Sequence, residues 1–102
     1  MVTKSGLGID DLLKGKRDAI LRLASARKAY NVRVFGSVAR GEATETSDVD
    51  FLVTFEPNYT LWDHIGLIQD LVELLGREVD VSTEDTLKSR IKGQILQEAR
   101  PL

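Results

Sequence analysis

A stretch of 24 residues, 32–55, constrains the fold more than any other part of the chain; it has the sequence VRVFGSVARGEATETSDVDFLVTF. Two apolar, β-branched runs, residues 32–35 and 49–55, suit a pleated, half-buried surface and are predicted to be strands. Because side chains alternate along a strand, Asp48 and Asp50 would project from the same face, roughly 7 Å apart. Neighbouring carboxylates repel each other unless a cation lies between them, so this pair indicates a metal site.

The length and composition predict one small folded domain over residues 1–102. Hydrophobic residues make up 42% of the chain, the net charge is −2 and there are no cysteines, which excludes disulfides and thiolate metal sites. A dedicated nucleic-acid binder usually carries clustered Lys and Arg, so direct binding of nucleic acid is not expected. No apolar run approaches the roughly 18 residues needed to cross a bilayer, and no signal-peptide pattern is present. We therefore expect a cytoplasmic protein.

Apolar periodicity predicts three helices around the strands. Residues 1–8 are expected to be a frayed end, followed by an amphipathic helix over about 9–28. A second helix over about 60–75 has apolar side chains recurring at intervals of three and four residues, and Gly76 would end it. A weaker helix follows from about residue 83 and would end at Pro101.

Alternation over residues 77–82 predicts a third short strand, with Asp80 on its polar side. The predicted order is helix, strand, turn, strand, helix, strand, helix. This order is typical of a two-layer α+β fold, with a small mixed sheet of three to four strands and helices on one face. The other face would be open beside Asp48, Asp50 and Asp80, and a functional site is predicted there.

Several residues around this open face fit one chemical task. Gly36 permits close approach of a ligand to the backbone, and Ser37 begins a helical turn whose N–H groups can bind an anion. Arg40, one turn later, could bind a phosphate oxygen. The aspartates offer the oxygen ligands that suit Mg²⁺. Each feature alone is more often an ordinary solvated turn or charge, but together they predict in-line attack on phosphorus.

This pattern resembles the motif of the DNA polymerase β nucleotidyltransferase superfamily: a Gly-Ser pair, ten further residues, an Asp-x-Asp motif, and a third aspartate on a later strand. The matching positions are Gly36, Ser37, Arg40, Gly41, Ser47, Asp48, Asp50 and Asp80. The small size and the segments GSVARGEA and ILQEARPL are most similar to the minimal nucleotidyltransferases, of the MntA type, over about residues 9–102.

The resemblance implies transfer of AMP from ATP to an acceptor hydroxyl, with two Mg²⁺ ions. Asp48 and Asp50 would bind both ions together with the triphosphate. Asp80 would bind the catalytic ion and help activate the acceptor oxygen. The nucleotide site would consist of Gly36, Ser37, Arg40, Gly41 and Ser47, the first two of which would bind the β- and γ-phosphates.

The resemblance also implies a partner, a HEPN-domain toxin that receives AMP on a tyrosine, so that the chain acts as the antitoxin of a type VII-like pair. Two alternatives remain open. The chain could be a non-catalytic antitoxin that neutralises by binding, or it could modify a small molecule such as an antibiotic. A small-molecule pocket would need a dimer interface or a partner to complete it. The wide apolar stripe of residues 61–75 would suit a homodimer or a complex with the toxin.

A few other polar and aromatic residues were weighed as ligands. His64 lies off the apolar stripe and is predicted to be exposed and not a ligand. Tyr59 and Trp62 could stack on adenine, but capping the core at the start of a helix is the favoured interpretation. Glu42 and Glu45 could adjust metal binding, although a solvated loop is favoured.

Overall fold

The computed structural model describes residues 6–102. Its helices are α1 (Ile9–Leu12), α2 (Arg17–Ala26), α3 (Gly36–Arg40), α4 (Leu61–Leu75) and α5 (Ser89–Glu98). Its strands are β1 (Ala29–Phe35), β2 (Val49–Phe55), β3 (Val79–Ser82) and β4 (Arg100–Pro101). A short 3₁₀ helix, Glu84–Thr86, precedes α5. Among the described residues, no helix has the length and apolar character needed to span a membrane.

The strands form one four-stranded mixed sheet in the order β3-β2-β1-β4. β1 is antiparallel to β2 and to β4, whereas β2 and β3 are parallel. The predicted α+β class and small mixed sheet are therefore confirmed. The last helix begins at Ser89 and ends at Glu98, so its predicted bounds, from about residue 83 to Pro101, are wrong, and the chain continues into β4. A two-residue strand is too short to produce an alternating pattern, so the sequence did not place it.

The main core lies between the sheet and the helices α2 and α4, which pack on β1 and β3 respectively. Phe51 and Val34 on the strands and Ile20 and Leu67 on the helices are fully buried there. Burying a side chain of this size contributes about 1.5–3 kcal/mol. Leu52 is also fully buried but belongs to the opposite face of the sheet. That face is partly covered, because the 3₁₀ helix contacts β2 and α5 contacts β1.

The predicted helix over residues 9–28 is divided in two, so its predicted bounds are wrong. α1 ends at Leu12, and Gly15 has a φ of +76° before α2 begins. A positive φ cannot continue a right-handed helix, and glycine adopts it without strain. Leu13 stays buried in the core. The apolar periodicity therefore continues across the break between α1 and α2 and does not predict it.

Part of the predicted frayed end is attached to the fold. The Leu7 N–H donates to the Ala43 carbonyl oxygen at 2.8 Å, and the Ala43 N–H donates back to Leu7 at 3.0 Å. These two bonds connect the start of the chain to the loop after α3. The prediction is therefore wrong for residues 6–8, whereas residues 1–5 lie outside the described part of the chain.

The ends of α4 follow the sequence signals. The Asp63 N–H donates to Thr60 Oγ1 at 3.4 Å, and the Thr60 N–H donates to the Asp63 carboxylate at 2.8 Å. This reciprocal arrangement satisfies two backbone donors at the start of the helix. At the other end Gly76 has a φ of +68°, which confirms the predicted stop.

The prediction that His64 is exposed is wrong. Its side chain is half-buried, and its Nε2 donates to the Val81 carbonyl oxygen at 2.7 Å, which attaches α4 to β3. Tyr59 stacks on Phe55 with ring centroids 4.3 Å apart, so it caps the core as predicted. Trp62 is 76% exposed and does not cap the core, contrary to the favoured interpretation.

Candidate active site

The register of the parallel pair β2–β3 brings the predicted acidic residues together. Asp50 and Asp80 are Cα partners across the two strands, and Phe35 is the partner of Asp50 on β1. Asp48 lies two residues before Asp50, and the charges of Asp48 and Asp80 both act on the Asp50 carboxylate. The aspartates that the motif singled out are therefore neighbours in the fold.

The surroundings of Asp50 oppose the ionisation of its side chain. Its side chain is half-buried, whereas Asp48 and Asp80 are exposed. The pKa of Asp50 is raised from 3.8 to about 6, first by burial and then by the negative charges of Asp80 and Asp48, and the positive charge of Arg40 offsets only part of this. A carboxylate that is costly to ionise gains strongly from a cation beside it.

The donor atoms at this site fit Mg²⁺. All three side chains are carboxylates, which are the ligands that a hard divalent cation prefers. Among residues 6–102, no group of three acidic or histidine side chains already encloses a point at metal-binding distances. An ion held here would complete its coordination with water and substrate phosphates, as Mg²⁺ usually does.

Gly36 follows β1 at the start of α3 and lies directly against Asp50. Its φ is +75°, a conformation that side chains with a Cβ rarely adopt. A Cβ added at this position would also collide with the Asp50 carboxylate oxygen Oδ2. A glycine is therefore needed here for two independent reasons. Ser37 follows in the first turn of α3, and Gly41 ends that helix with a φ of +71°.

Two of the three guanidinium nitrogens of Arg40 already donate to carboxylates in this structure. Its Nε donates to Glu42 at 3.1 Å, and its Nη1 donates to Glu98 at 2.9 Å. Both carboxylates raise the pKa of Arg40, and the hydrogen bond to Glu98 is the largest cause. Glu42 is therefore engaged in an ion pair rather than only solvated. The second carboxylate oxygen of Glu98 accepts the Gly36 N–H at 3.0 Å.

The loop before Asp48 is held by its own hydrogen bonds and by one arginine. Ser47 Oγ accepts the Thr44 N–H at 2.8 Å. Arg77, just after α4, donates from Nη1 to the carbonyl oxygens of Thr44 at 3.3 Å and Ser47 at 3.1 Å. The Ser47 hydroxyl thus shapes the loop, and its proposed contact with the nucleotide stays a prediction. Glu45 is exposed on this loop, as predicted.

Sequence reasoning missed two residues of this site, Glu98 and Arg77. The Glu98 contact with Gly36 spans 62 positions, and the Arg77 contact with Ser47 spans 30. Contacts of that sequence separation leave no local pattern. The only available signal for Glu98 was the segment ILQEARPL, which contributed to the resemblance without a role for any single residue.

The structure thus places the Gly-Ser turn beside Asp50, which neighbours Asp80 across two parallel strands. A family model described as the nucleotidyltransferase domain matches residues 14–102, so the chain belongs to the nucleotidyltransferase domain family. Its relatives lie among the minimal nucleotidyltransferases, which confirms the resemblance identified from the motif. The chain is therefore an enzyme of the nucleotidyltransferase class.

Two archaeal relatives are named as protein adenylyltransferases. Protein adenylyltransferase MntA of Thermococcus cleftensis is 47% identical over 75 residues, which cover 71% of this chain and 76% of the relative. A candidate protein adenylyltransferase of Methanocaldococcus jannaschii is 47% identical over 66 residues, which cover 65% of this chain and 71% of the relative.

Solved structures share the fold. A candidate minimal nucleotidyltransferase has a TM-score of 0.80 and 51% identity, covering 88% of this chain and 92% of that one. A toxin–antitoxin complex with AMP-PNP has a TM-score of 0.71, covering 84% of this chain and 71% of that chain. At 20% identity, the second likeness establishes the fold alone.

Proposed function

We propose that this chain transfers AMP from ATP to a tyrosine hydroxyl of a HEPN-domain toxin, and that it acts in this way as an antitoxin. The observation that carries the proposal is the group of Asp48, Asp50 and Asp80 beside the Gly36 turn. The raised pKa of Asp50 supports a cation at this site, because Asp50 is costly to ionise without one. Transfer would therefore depend on Mg²⁺.

The proposed reaction is an in-line displacement. The acceptor oxygen attacks the α-phosphorus of ATP and forms a new P–O bond, while the bond from that phosphorus to the bridging oxygen breaks and pyrophosphate leaves. The acceptor proton passes to the exposed carboxylate of Asp80. Asp48 and Asp50 would hold two Mg²⁺ ions with the triphosphate, and the backbone at Gly36 and Ser37 would bind the outer phosphates. When bound, the ions would supply charge neutralisation and a lower pKa of the attacking hydroxyl.

The relatives support a protein acceptor. Two of them are named as protein adenylyltransferases, and structures of the same fold come from toxin–antitoxin complexes, one of them with AMP-PNP. The choice of tyrosine and of a HEPN toxin rests on the family resemblance. The chemistry of the site is equally suited to any hydroxyl, so the acceptor must be identified directly.

The test is transfer of label from α-³²P-ATP, in the presence of Mg²⁺, to the protein encoded beside this gene. We expect label on the partner, loss of label with EDTA, and a fall of at least about a hundredfold in Asp48→Asn, because a preorganised electrostatic contact is removed. Glu45→Gln is the matched control: it removes a charge from the same exposed loop and should transfer at the wild-type rate.

The outcomes separate the candidate functions. Label on a tyrosine of the partner, located by mass spectrometry, supports the proposal. Label only on a small molecule contradicts the protein acceptor. If no label is transferred and Asp48→Asn still neutralises the toxin in cells, neutralisation occurs by binding and the proposed catalytic role is wrong.

A further inference from the structure

Glu98, the last residue of α5, inserts its carboxylate into the site described above. One oxygen accepts the backbone N–H of Gly36 at 3.0 Å, and the other accepts Arg40 Nη1 at 2.9 Å. The side chain is only 16% exposed. A single anion thus occupies both a backbone donor at the start of α3 and the guanidinium group at its end.

The Glu98 carboxylate adds a negative charge close to the aspartates. The Glu98 charge acts repulsively on Asp50, which already experiences the charges of Asp48 and Asp80. If Glu98 served only to attach α5 to the fold, its pairing with Arg40 would suffice. The additional contact with Gly36 brings a fourth acid to a site that already holds three. The two donors it engages are those that the sequence motif assigns to phosphate.

We propose that Glu98 is an internal competitor of the substrate phosphates, and that its carboxylate must leave Gly36 and Arg40 before the triphosphate can bind. This inference rests on the proposed nucleotide site. A phosphate and a carboxylate use the same donors, a backbone N–H and a guanidinium group, and the charged hydrogen bonds to each are strong. The nucleotide therefore binds only when the ion pair between Glu98 and Arg40 breaks. Glu98 thereby lowers the affinity of the protein for the nucleotide.

The exchange requires little movement of the backbone. Arg100 pairs with Val34, so the chain just after Glu98 is held to the sheet by β4. The Glu98 side chain is long and unbranched, and its rotation alone would release both donors. Arg40 would then retain its contact with Glu42, which lies on its Nε. The guanidinium group could bind a phosphate through the nitrogen that Glu98 had left.

The experiment compares ATP binding to the wild type and to Glu98→Gln by titration calorimetry with Mg²⁺ and without an acceptor. The amide removes the negative charge and can no longer accept from Arg40 as a carboxylate does. We expect Glu98→Gln to bind ATP about tenfold more tightly, and inorganic tripolyphosphate more tightly by a similar factor, because one charge-assisted hydrogen bond no longer competes. Glu73→Gln, which removes a charge from an exposed position on α4, is the control and should change either affinity less than about twofold.

A second variant tests how the length of the side chain at position 98, apart from its charge, affects ATP affinity. Glu98→Asp keeps the charge but is one methylene shorter, so it cannot contact both donors, and an intermediate gain in affinity is expected. Thermal unfolding of each variant establishes that it is folded before it is titrated.

Each outcome decides a different question. If the wild type binds ATP and Glu98→Gln binds it equally or more weakly, Glu98 positions Arg40 and the competition is refuted while the proposed function stands. If the wild type does not bind but Glu98→Gln does, both proposals are supported. If neither folded protein binds ATP or tripolyphosphate, the nucleotide site and the competition are both wrong.

Discussion

Asp50→Asn is expected to abolish nucleotidyl transfer and at the same time to stabilise the fold. The loss of transfer should be at least about a thousandfold, because in the proposed mechanism Asp50 would hold the Mg²⁺ ions that neutralise the triphosphate, and an amide has no charge with which to hold them. The gain in stability has the same origin. The pKa of Asp50 is raised to about 6, so at neutral pH the folded protein holds an ionised carboxylate where burial and neighbouring acids oppose it.

Because folding raises the pKa of Asp50, the stability of the folded protein depends on pH. The folded state keeps its proton up to about pH 6, whereas the unfolded chain loses it near 3.8. The contribution of Asp50 to stability is therefore most favourable below that lower pKa and is lost as the pH rises through 6. At pH 8 Asp50→Asn should be more stable by about 1–2 kcal/mol, a value reduced for solvent screening at a half-buried side chain.

Thermal unfolding without divalent cations, at pH 8 and at pH 5, measures this difference. A gain of about 1 kcal/mol raises the midpoint of a domain this size by roughly 4–8 °C, and the difference between the two proteins should narrow at pH 5. Asp18→Asn, on an exposed part of α2, should change neither stability nor transfer. An Asp50→Asn variant that is less stable than the wild type at pH 8 would contradict the electrostatic strain assigned to this carboxylate.

Gly36→Ala is expected to eliminate most transfer at a modest cost in stability. The new Cβ would collide with Oδ2 of Asp50, which is the end of a side chain and can rotate away. The main effect is then a displaced Asp50 carboxylate, and a displacement of about 1 Å can reduce the rate of transfer by about a hundredfold. The positive φ adds about 1–2 kcal/mol of backbone strain.

Gly76→Ala is the matched control for Gly36→Ala. Gly76 has a φ of +68° and a Cβ there would have no neighbour within 4 Å. Both variants should therefore lose similar stability in denaturant unfolding, and only Gly36→Ala should lose transfer. Equal transfer rates in the two variants would show that the close approach of Gly36 to Asp50 has no catalytic importance.

The parts of the fold that follow from local pattern were predictable. The strands on either side of the Gly-Ser turn, the helix from Leu61 and its stop at Gly76 are each signalled by alternation, periodicity or a glycine at the right place. The break in the first helix was not predictable, because Leu13 is buried and keeps the apolar periodicity intact across Gly15. The pairing of β4 with β1 depends on packing between distant segments.

Local sequence pattern likewise predicted only part of the site. Strand alternation predicted Asp50 on one strand and Asp80 on the polar side of another, and both residues lie on strands. Asp48 directly precedes β2, and its projection from the same face as Asp50 stays a prediction. Sequence alone did not give the register between those strands, the partial burial of Asp50 or the approach of Glu98. Each of these arises from long-range contacts, as does the ion pair of Arg40 with Glu98, which the sequence did not predict.

The pairing of Asp50 with Asp80 limits how this protein can vary in length. Successive side chains of a strand point to opposite faces, so a one-residue insertion between α4 and β3 that shifted the register would move Asp80 away from Asp50. The same insertion would expose Val79 and Val81, which the core buries. A substitution of the exposed Glu78 is therefore compatible with activity in a way that a single-residue insertion or deletion beside it is not.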